Sequence, residues 1–136
     1  MDVAHRPIVV LDRGEDESAK IVFRRHVLGA SLEVTTSAGV LSLEPDMIDA
    51  VASTPGAIGY CSLGAAVAEG ARIQVLDLDG VKPTVENVST GRYPMVRPLG
   101  VVARPDAPAA VTRFIQWAAG PEGRAVMERH GYAAVR

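Results

Sequence analysis

The hydrophobic and polar positions of the chain follow a pattern that predicts strands alternating with helices. Residues 8–11 (Ile-Val-Val-Leu) form a continuous apolar run without alternation, which is typical of a central strand covered on both faces of a parallel sheet. Acidic residues then precede apolar positions at helical spacing that end at Gly29, and this pattern predicts a helix. Lys20 falls on the polar side of that helix, where we expect a solvated cation.

The rest of the chain continues this alternation. We predict further strands at residues 32–36, 57–61, 73–78 and 95–104, and either a short strand or a loop at 38–43. We predict that further helices begin at or near Pro45, Ser62, Thr84, Asp106 and Pro121. Trp117 and His130 are expected to face the core. The pattern predicts an α/β fold of three layers, with a mostly parallel sheet and helices on both faces.

Composition and charge narrow the possible functions. The 136 residues carry 14 Lys and Arg against 16 Asp and Glu, so no basic field is available to hold a nucleic-acid backbone. The single cysteine, Cys61, excludes an internal disulfide and is expected to be a small buried hydrophobe. Pro and Gly interrupt the uncharged stretch at 50–68, so no membrane span is predicted.

Four sequence signatures occur in a fixed order. They are Gly56–Tyr60 (GAIGY), Asp79–Asn87 (DGVKPTVEN), Gly91–Leu99 (GRYPMVRPL), and 120–124 (GPEGR) followed by His130–Tyr132 (HGY). In order and spacing the chain resembles the phosphate-binding proteins of bacterial ABC transporters, from Ile8 to Val135. The resemblance implies a single lobe of the type II periplasmic-binding-protein fold, which in the family clamps its ligand between two lobes. It further implies one domain over residues 1–136, with the lobe and a crossover strand at 8–104 and C-terminal helices at 105–136.

The resemblance also implies a candidate oxyanion loop. Its residues are Arg13, Glu15, Glu17, Ser18 and Ala19. In the family, an arginine after a strand and a Ser-Gly-Thr turn at the next helix hold phosphate. Arg13 falls at the arginine position, and Glu15 falls where the family has an aspartate that accepts the proton of hydrogen phosphate. Arginine and the N–H groups of a helix N-terminus are both suited to binding anions.

The loop departs from the family pattern at the turn itself. Glu17-Ser18-Ala19 stands where the family has Ser-Gly-Thr, so one hydroxyl remains and a carboxylate competes for the position of the anion. We hypothesise that phosphate binding is lost or weak. A surface ion pair between Arg13 and Glu15 is the alternative role for those two side chains. The three histidines are scattered along the chain, so neither a metal nor a cofactor is predicted.

No catalytic constellation is visible, so the leading interpretation is a non-enzymatic, phosphate-binding-protein-like module that serves ligand sensing or protein interaction. One alternative is a genuine phosphate-binding component of an ABC transporter represented by a fragment, which would be periplasmic or extracellular. Another is a cytoplasmic sensor of a different small anion. The chain as written shows no signal peptide, which favours the cytoplasm. A lone lobe exposes its cleft face, so we expect a homodimer or a second-lobe partner.

Overall fold

The computed structural model describes residues 7–68 and 70–134. Its sheet has three parallel strands in the order β2-β1-β3. The strands are β1 (Val9–Arg13), β2 (Gly39–Leu41) and β3 (Ala57–Ile58). Along β1, Val9 pairs with Ala57 of β3, whereas Arg13 pairs with Leu41 of β2. The predicted central position of the first strand is therefore confirmed.

Six α-helices occur in the described part of the chain. They are α1 (Ser18–Phe23), α2 (Glu44–Ser53), α3 (Leu63–Ala68), α4 (Val85–Ser89), α5 (Ala109–Ala119) and α6 (Pro121–Arg129). A π-helical turn at Arg24–Leu28 extends α1, and Gly29 ends it with a φ of 65°. Because β1 lies between the strands that follow it, right-handed crossovers place α1 and α2 on opposite faces of the sheet. The predicted α/β class with a parallel sheet is confirmed.

The second helix forms the apolar centre of the structure. Pro45 and the acidic residues beside it suit the first turn of α2, and Met47 and Ile48 are almost fully buried. Gly59 lies directly against Met47, since a Cβ at this position would overlap the methionine sulfur. The glycine after β3 therefore lets α2 pack closely onto the sheet.

Several predicted strands do not form. Residues 32–36, 73–78 and 95–104 make no strand within the described chain, and β3 is shorter than the predicted 57–61. The segment at 73–78 forms only one bridge, from Leu78 to Val81 across the predicted Asp79-Gly80 turn. The segment at 95–104 pairs with no strand within the described residues, and Val102 is 96% exposed. Strand propensity depends on packing against cross-strand and same-face neighbours, so apolar residues that lack such neighbours do not form a strand by propensity alone.

The C-terminal helices form a hairpin at the side of the lobe. Helix α5 packs mainly against α6, and the ring of Tyr132 covers Gly64 of α3. Because no further layer covers α5, the expected core position of Trp117 is wrong, and this side chain is 44% exposed. Its indole N–H donates to Glu122 at 3.0 Å. His130, expected to face inward, is exposed, and Cys61 is only half-buried.

Candidate functional site

The strand order brings three loops together at one edge of the sheet. In parallel sheets, ligands bind beyond the carboxyl ends of the strands, where successive connections leave in opposite directions. β1 occupies this position, since the chain crosses to β2 on one side of it and to β3 on the other. We call the group of side chains at this edge the carboxyl-edge site. Its members are Arg13, Glu17, Ser18, Glu44, Ser62 and Arg97.

Arg13 is the centre of the carboxyl-edge site. Its side chain is 5% exposed, and its Nη2 donates to Glu17 Oε2 and to the carbonyl oxygen of Ser42, both at 3.1 Å. Its Nε and Nη1 are buried and have no hydrogen-bond partner within the described residues. An unsatisfied buried donor costs about 1 to 3 kcal/mol, and more when charged. These two nitrogens therefore retain donors that an oxyanion could satisfy.

Glu17 places a carboxylate on the same guanidinium. It precedes the first residue of α1, but its side chain does not cap the helix and instead turns toward Arg13. The Glu17 side chain is 39% exposed, so it remains partly hydrated in this position. One arginine nitrogen is thus shared between a protein carboxylate and a backbone carbonyl. Ser18 and Ala19 follow at the start of α1, and of the two only Ser18 adds a polar side chain.

A second arginine reaches the site from a distant part of the chain. Arg97 Nη1 donates to Ser18 Oγ at 3.0 Å, and Arg97 Nη2 lies 4.0 Å from Glu44 Oε2. Glu44 also accepts hydrogen bonds from the backbone N–H and the hydroxyl of Ser62, at 2.6 and 3.1 Å. No role was predicted for Arg97 from the sequence. The feature that could have drawn attention to it is a lone cation between two prolines in an otherwise apolar segment.

Glu15 lies apart from the other predicted loop residues. Its carboxylate is 67% exposed and contacts Lys20 at 3.4 Å and Arg24 at 3.2 Å. The alternative of a surface ion pair between Arg13 and Glu15 is wrong. Arg13 is buried and does not lie at the surface, and its partner is Glu17 instead of Glu15. The turn at 15–16 directs the Glu15 side chain toward the far end of α1 rather than toward the strand edge.

Lys20 is not solvated, which overturns the prediction from helical spacing. It is 1% exposed and forms an ion pair with Asp12, the residue next to Arg13 in β1. Asp12 Oδ1 also accepts from the Tyr60 hydroxyl at 2.6 Å and from the Arg13 backbone N–H at 2.8 Å. The Tyr60 ring stacks on Phe23 at 4.4 Å between centroids. We call these four side chains, Asp12, Lys20, Phe23 and Tyr60, the Asp12 cluster.

The electrostatics of the Asp12 cluster follow from its burial and its hydrogen bonds. Burial alone would raise the pKa of Asp12, but hydrogen bonds from Lys20, Tyr60 and the Arg13 backbone outweigh it, so the pKa lies below its ordinary value. Burial and the hydrogen bond to Asp12 together raise the pKa of Tyr60. Asp12 is therefore a carboxylate at neutral pH with both oxygens bonded, and it holds the Arg13 backbone in place.

The carboxyl-edge site contains two arginines and two glutamates, so its formal charge is balanced. Within residues 7–68 and 70–134, no group of three or more His, Cys, Asp or Glu side chains is placed to hold a metal ion. Over the same residues, no helix has the length and apolar character needed to cross a membrane. The side chains at this edge can form hydrogen bonds and ion pairs with a small polar ligand.

The chain matches a protein-family model. This model describes a PBP superfamily domain and matches residues 2–122. Phosphate-binding protein PstS 2 of Streptococcus agalactiae is 34% identical over 87 residues, a match that covers 63% of this chain and 29% of that protein. Phosphate-binding protein PstS of Bacillus subtilis is 44% identical over 45 residues, 33% of this chain and 14% of that protein. The resemblance to phosphate-binding proteins is confirmed.

Solved structures share the fold. A phosphate ABC transporter substrate-binding protein with bound phosphate from Clostridium perfringens matches 96% of this chain with a TM-score of 0.79 and 24% identity. The phosphate-binding protein of a phosphate ABC transporter from Streptococcus pneumoniae matches 93% with a TM-score of 0.64 and 22% identity. These matches cover 53% and 51% of the two solved chains, so the chain spans about half of their length. At such identities the likeness shows the fold.

Proposed function

Because the chain belongs to the PBP superfamily, we propose that it is one lobe of a substrate-binding module whose oxyanion half-site is centred on Arg13 and binds phosphate-like anions weakly. The observation that carries this proposal is the buried guanidinium with Nε and Nη1 unpaired. A purely structural arginine in the same position would gain by bonding these nitrogens to neighbouring carbonyls. The relatives that the chain resembles are named for binding phosphate, which supports the same ligand chemistry.

Weak binding follows from what this lobe supplies. Charge-assisted hydrogen bonds contribute about 1.5 to 3 kcal/mol each, so three of them give roughly 5 to 9 kcal/mol. Association costs about 4 kcal/mol or more, which leaves an affinity in the millimolar range. Glu17 lowers it further, because its carboxylate already bonds Arg13 and repels an incoming anion. The Ser-Gly-Thr turn of the family is replaced here by residues that offer a single hydroxyl.

A second lobe would complete the clamp, and we propose a second-lobe partner or a homodimer for this role. The chain spans about half of the solved structures it matches, and the segment at 95–104 exposes Leu99, Val101 and Val102. Exposed apolar surface of this kind favours a contact with another protein surface. In this proposal residues 8–104 are the lobe and residues 105–136 its C-terminal helices. A module that works with an ABC transporter in this way would act outside the cytoplasm.

The test is a phosphate titration of the 136-residue chain, followed by amide chemical shifts in NMR spectra. We expect millimolar phosphate to shift amides at residues 13–19 in the unchanged chain, and Arg13→Gln to abolish the response. Glu17→Gln should tighten binding by about threefold to tenfold by removing a competing charge. Asp16→Asn is the matched control, since Asp16 is an exposed carboxylate of the same loop. Micromolar affinity in the unchanged chain would contradict weak binding.

A protein-interaction module without ligand binding is the second candidate. The Arg13–Glu17 hydrogen bond favours it, because a permanently bound carboxylate would replace the anion. The same titration separates the two functions. If phosphate shifts no amide resonance of the carboxyl-edge site even in Glu17→Gln, the proposed oxyanion half-site is wrong. The protein-interaction module is then the remaining candidate function.

A further inference from the structure

We propose that the carboxyl-edge site prefers a short zwitterion, a ligand in which one or two carbon atoms separate an ammonium group from a phosphonate or carboxylate group, over inorganic phosphate. This inference rests on the proposed oxyanion half-site at Arg13 and specifies its ligand class. It follows from the pairing of an arginine that has unused donors with a glutamate that has an unused acceptor.

The two charges of such a ligand match two groups of the protein that already lie side by side, the Arg13 guanidinium and the Glu17 carboxylate. Arg13 Nε and Nη1 have no partner within the described residues, and each can donate a charge-assisted hydrogen bond to an oxygen of an acid group. Glu17 uses Oε2 to bond Arg13, while its Oε1 accepts no hydrogen bond among the described contacts. The two side chains meet at 3.1 Å, so the acid and the ammonium of a ligand that contacts both must also be close together. A short α- or β-amino acid skeleton meets this requirement.

The charge of the surrounding side chains points to the same class. Arg97 lies between Ser18 and Glu44, so the second arginine of the site is also balanced by a carboxylate. Its two positive and two negative side chains give the site no net charge that would attract a phosphate anion. A ligand with an ammonium group offsets part or all of the charge of its own acid group, so it disturbs this balance less than phosphate does. Phosphate by contrast brings a like charge against Glu17.

Access to the arginine requires a neighbouring group to shift, and Glu17 is a partly hydrated side chain in contact with it. Nε and Nη1 of Arg13 lie below the surface, so an anion reaches them only when such a group shifts. A small shift of Glu17 costs little desolvation and keeps its carboxylate beside the guanidinium. An ammonium group on the ligand would then bond this carboxylate, while the acid group of the ligand bonds Arg13.

The experiment compares aminomethylphosphonate with methylphosphonate, which differ by the ammonium group, and with inorganic phosphate. Each is titrated into the 136-residue chain at one pH and ionic strength, and affinity is read from amide shifts at residues 13–19. We expect aminomethylphosphonate to bind about tenfold more tightly than methylphosphonate, the factor expected of a hydrogen bond to a charged group. Phosphate should bind more weakly than aminomethylphosphonate.

Two variants assign the preference to Glu17. Glu17→Gln should reduce the ratio between the two phosphonates to less than about twofold, since the charge that holds the ammonium is gone. Asp16→Asn removes the same charge from the same loop and should keep the full ratio. A ratio near one in the unchanged chain, or a ratio that survives Glu17→Gln, overturns the inference while the oxyanion half-site stands. Absence of any response to all three anions overturns both.

Discussion

Asp12 and Arg13 are neighbours in one strand, both are buried and both are charged, yet their surroundings differ. Asp12 has both carboxylate oxygens bonded, by Lys20, by Tyr60 and by a backbone N–H. Arg13 has one nitrogen bonded and two without a partner. Successive side chains of a strand point to opposite sides, so each residue meets a separate environment. The comparison separates a charge that is satisfied by the protein from one that is left available for a ligand.

The strongest test of this comparison is Asp12→Asn. Asparagine keeps an oxygen for Tyr60 and for the Arg13 backbone N–H, but it leaves the buried Lys20 with only the exposed carboxylate of Glu15, at 3.4 Å, as a counter-charge. Breaking a buried ion pair from one side costs about 3 to 5 kcal/mol. We expect a loss of this size in the free energy of unfolding, measured by urea denaturation at neutral pH.

The double variant Asp12→Asn with Lys20→Met is the control for this loss. Removing both charges should recover most of the stability, because no unpaired charge remains. If Asp12→Asn were as stable as the unchanged chain, the exposed carboxylate of Glu15 would be a sufficient partner for Lys20, and the Asp12 cluster would not be a structural ion pair.

The second test uses pH on the same cluster. The pKa of Asp12 is lower in the folded chain than its ordinary value, so its stabilising effect is present above that ordinary value and is lost as pH falls through the folded pKa. We expect urea midpoints of the unchanged chain to fall as pH is lowered from about 6 to about 2. The double variant should show a smaller fall, because it lacks the group whose pKa is shifted. Equal slopes for the two proteins would contradict the shift.

These residues also show how far sequence reasoning reaches. Predictions that depend on residues close together in the sequence are confirmed. Thr84 caps α4 by accepting a hydrogen bond from the Asn87 N–H at 3.1 Å, and Asp79-Gly80 forms the predicted turn with a positive φ at both residues. The prediction of a solvated Lys20 is wrong because its partner, Asp12, lies in a different element. Helical spacing alone places Lys20 on the solvent side of α1. Arg97 was missed because Ser18 lies 79 positions away. Contacts made across the fold leave no periodicity in the chain.

The strands that failed to form have a related cause. A run such as 95–104 has residues suited to a strand, but strand formation also requires a neighbour with a free edge. The first strand could be located from the apolar run at 8–11, whereas β2 is largely exposed and its segment could be predicted only as a short strand or a loop. The direction of Glu17 could not, because one rotation of its side chain decides between solvent and Arg13. The candidate loop was thus predicted, while its internal bonding was not.

Arg13→Met is expected to change stability much less than Asp12→Asn. Methionine fills a similar volume and removes two buried nitrogens that gain nothing from the described residues, at the cost of the bonds to Glu17 and the Ser42 carbonyl. The partner that loses its ion pair, Glu17, is 39% exposed and stays hydrated, so no buried charge is left unpaired and we expect a change below about 1 kcal/mol in either direction. Urea denaturation without added anion provides the measurement. A loss as large as that of Asp12→Asn would make Arg13 a structural residue.

The smallest effect is expected at the exposed ion pair between Arg24 and Glu33, in which the arginine donates two hydrogen bonds to the carboxylate. Both oxygens of Glu33 accept from Arg24, at 3.0 and 2.9 Å, and these bonds lower the pKa of Glu33. Glu33 is nevertheless 70% exposed, so water replaces the lost partner when the pair is broken. Glu33→Gln should leave the urea midpoint at neutral pH unchanged within error, and the difference between the two proteins should stay within error when salt is added. A loss comparable to that of Asp12→Asn would mean that burial does not decide the strength of ion pairs in this lobe, and the contrast between the Asp12 cluster and the surface would fail.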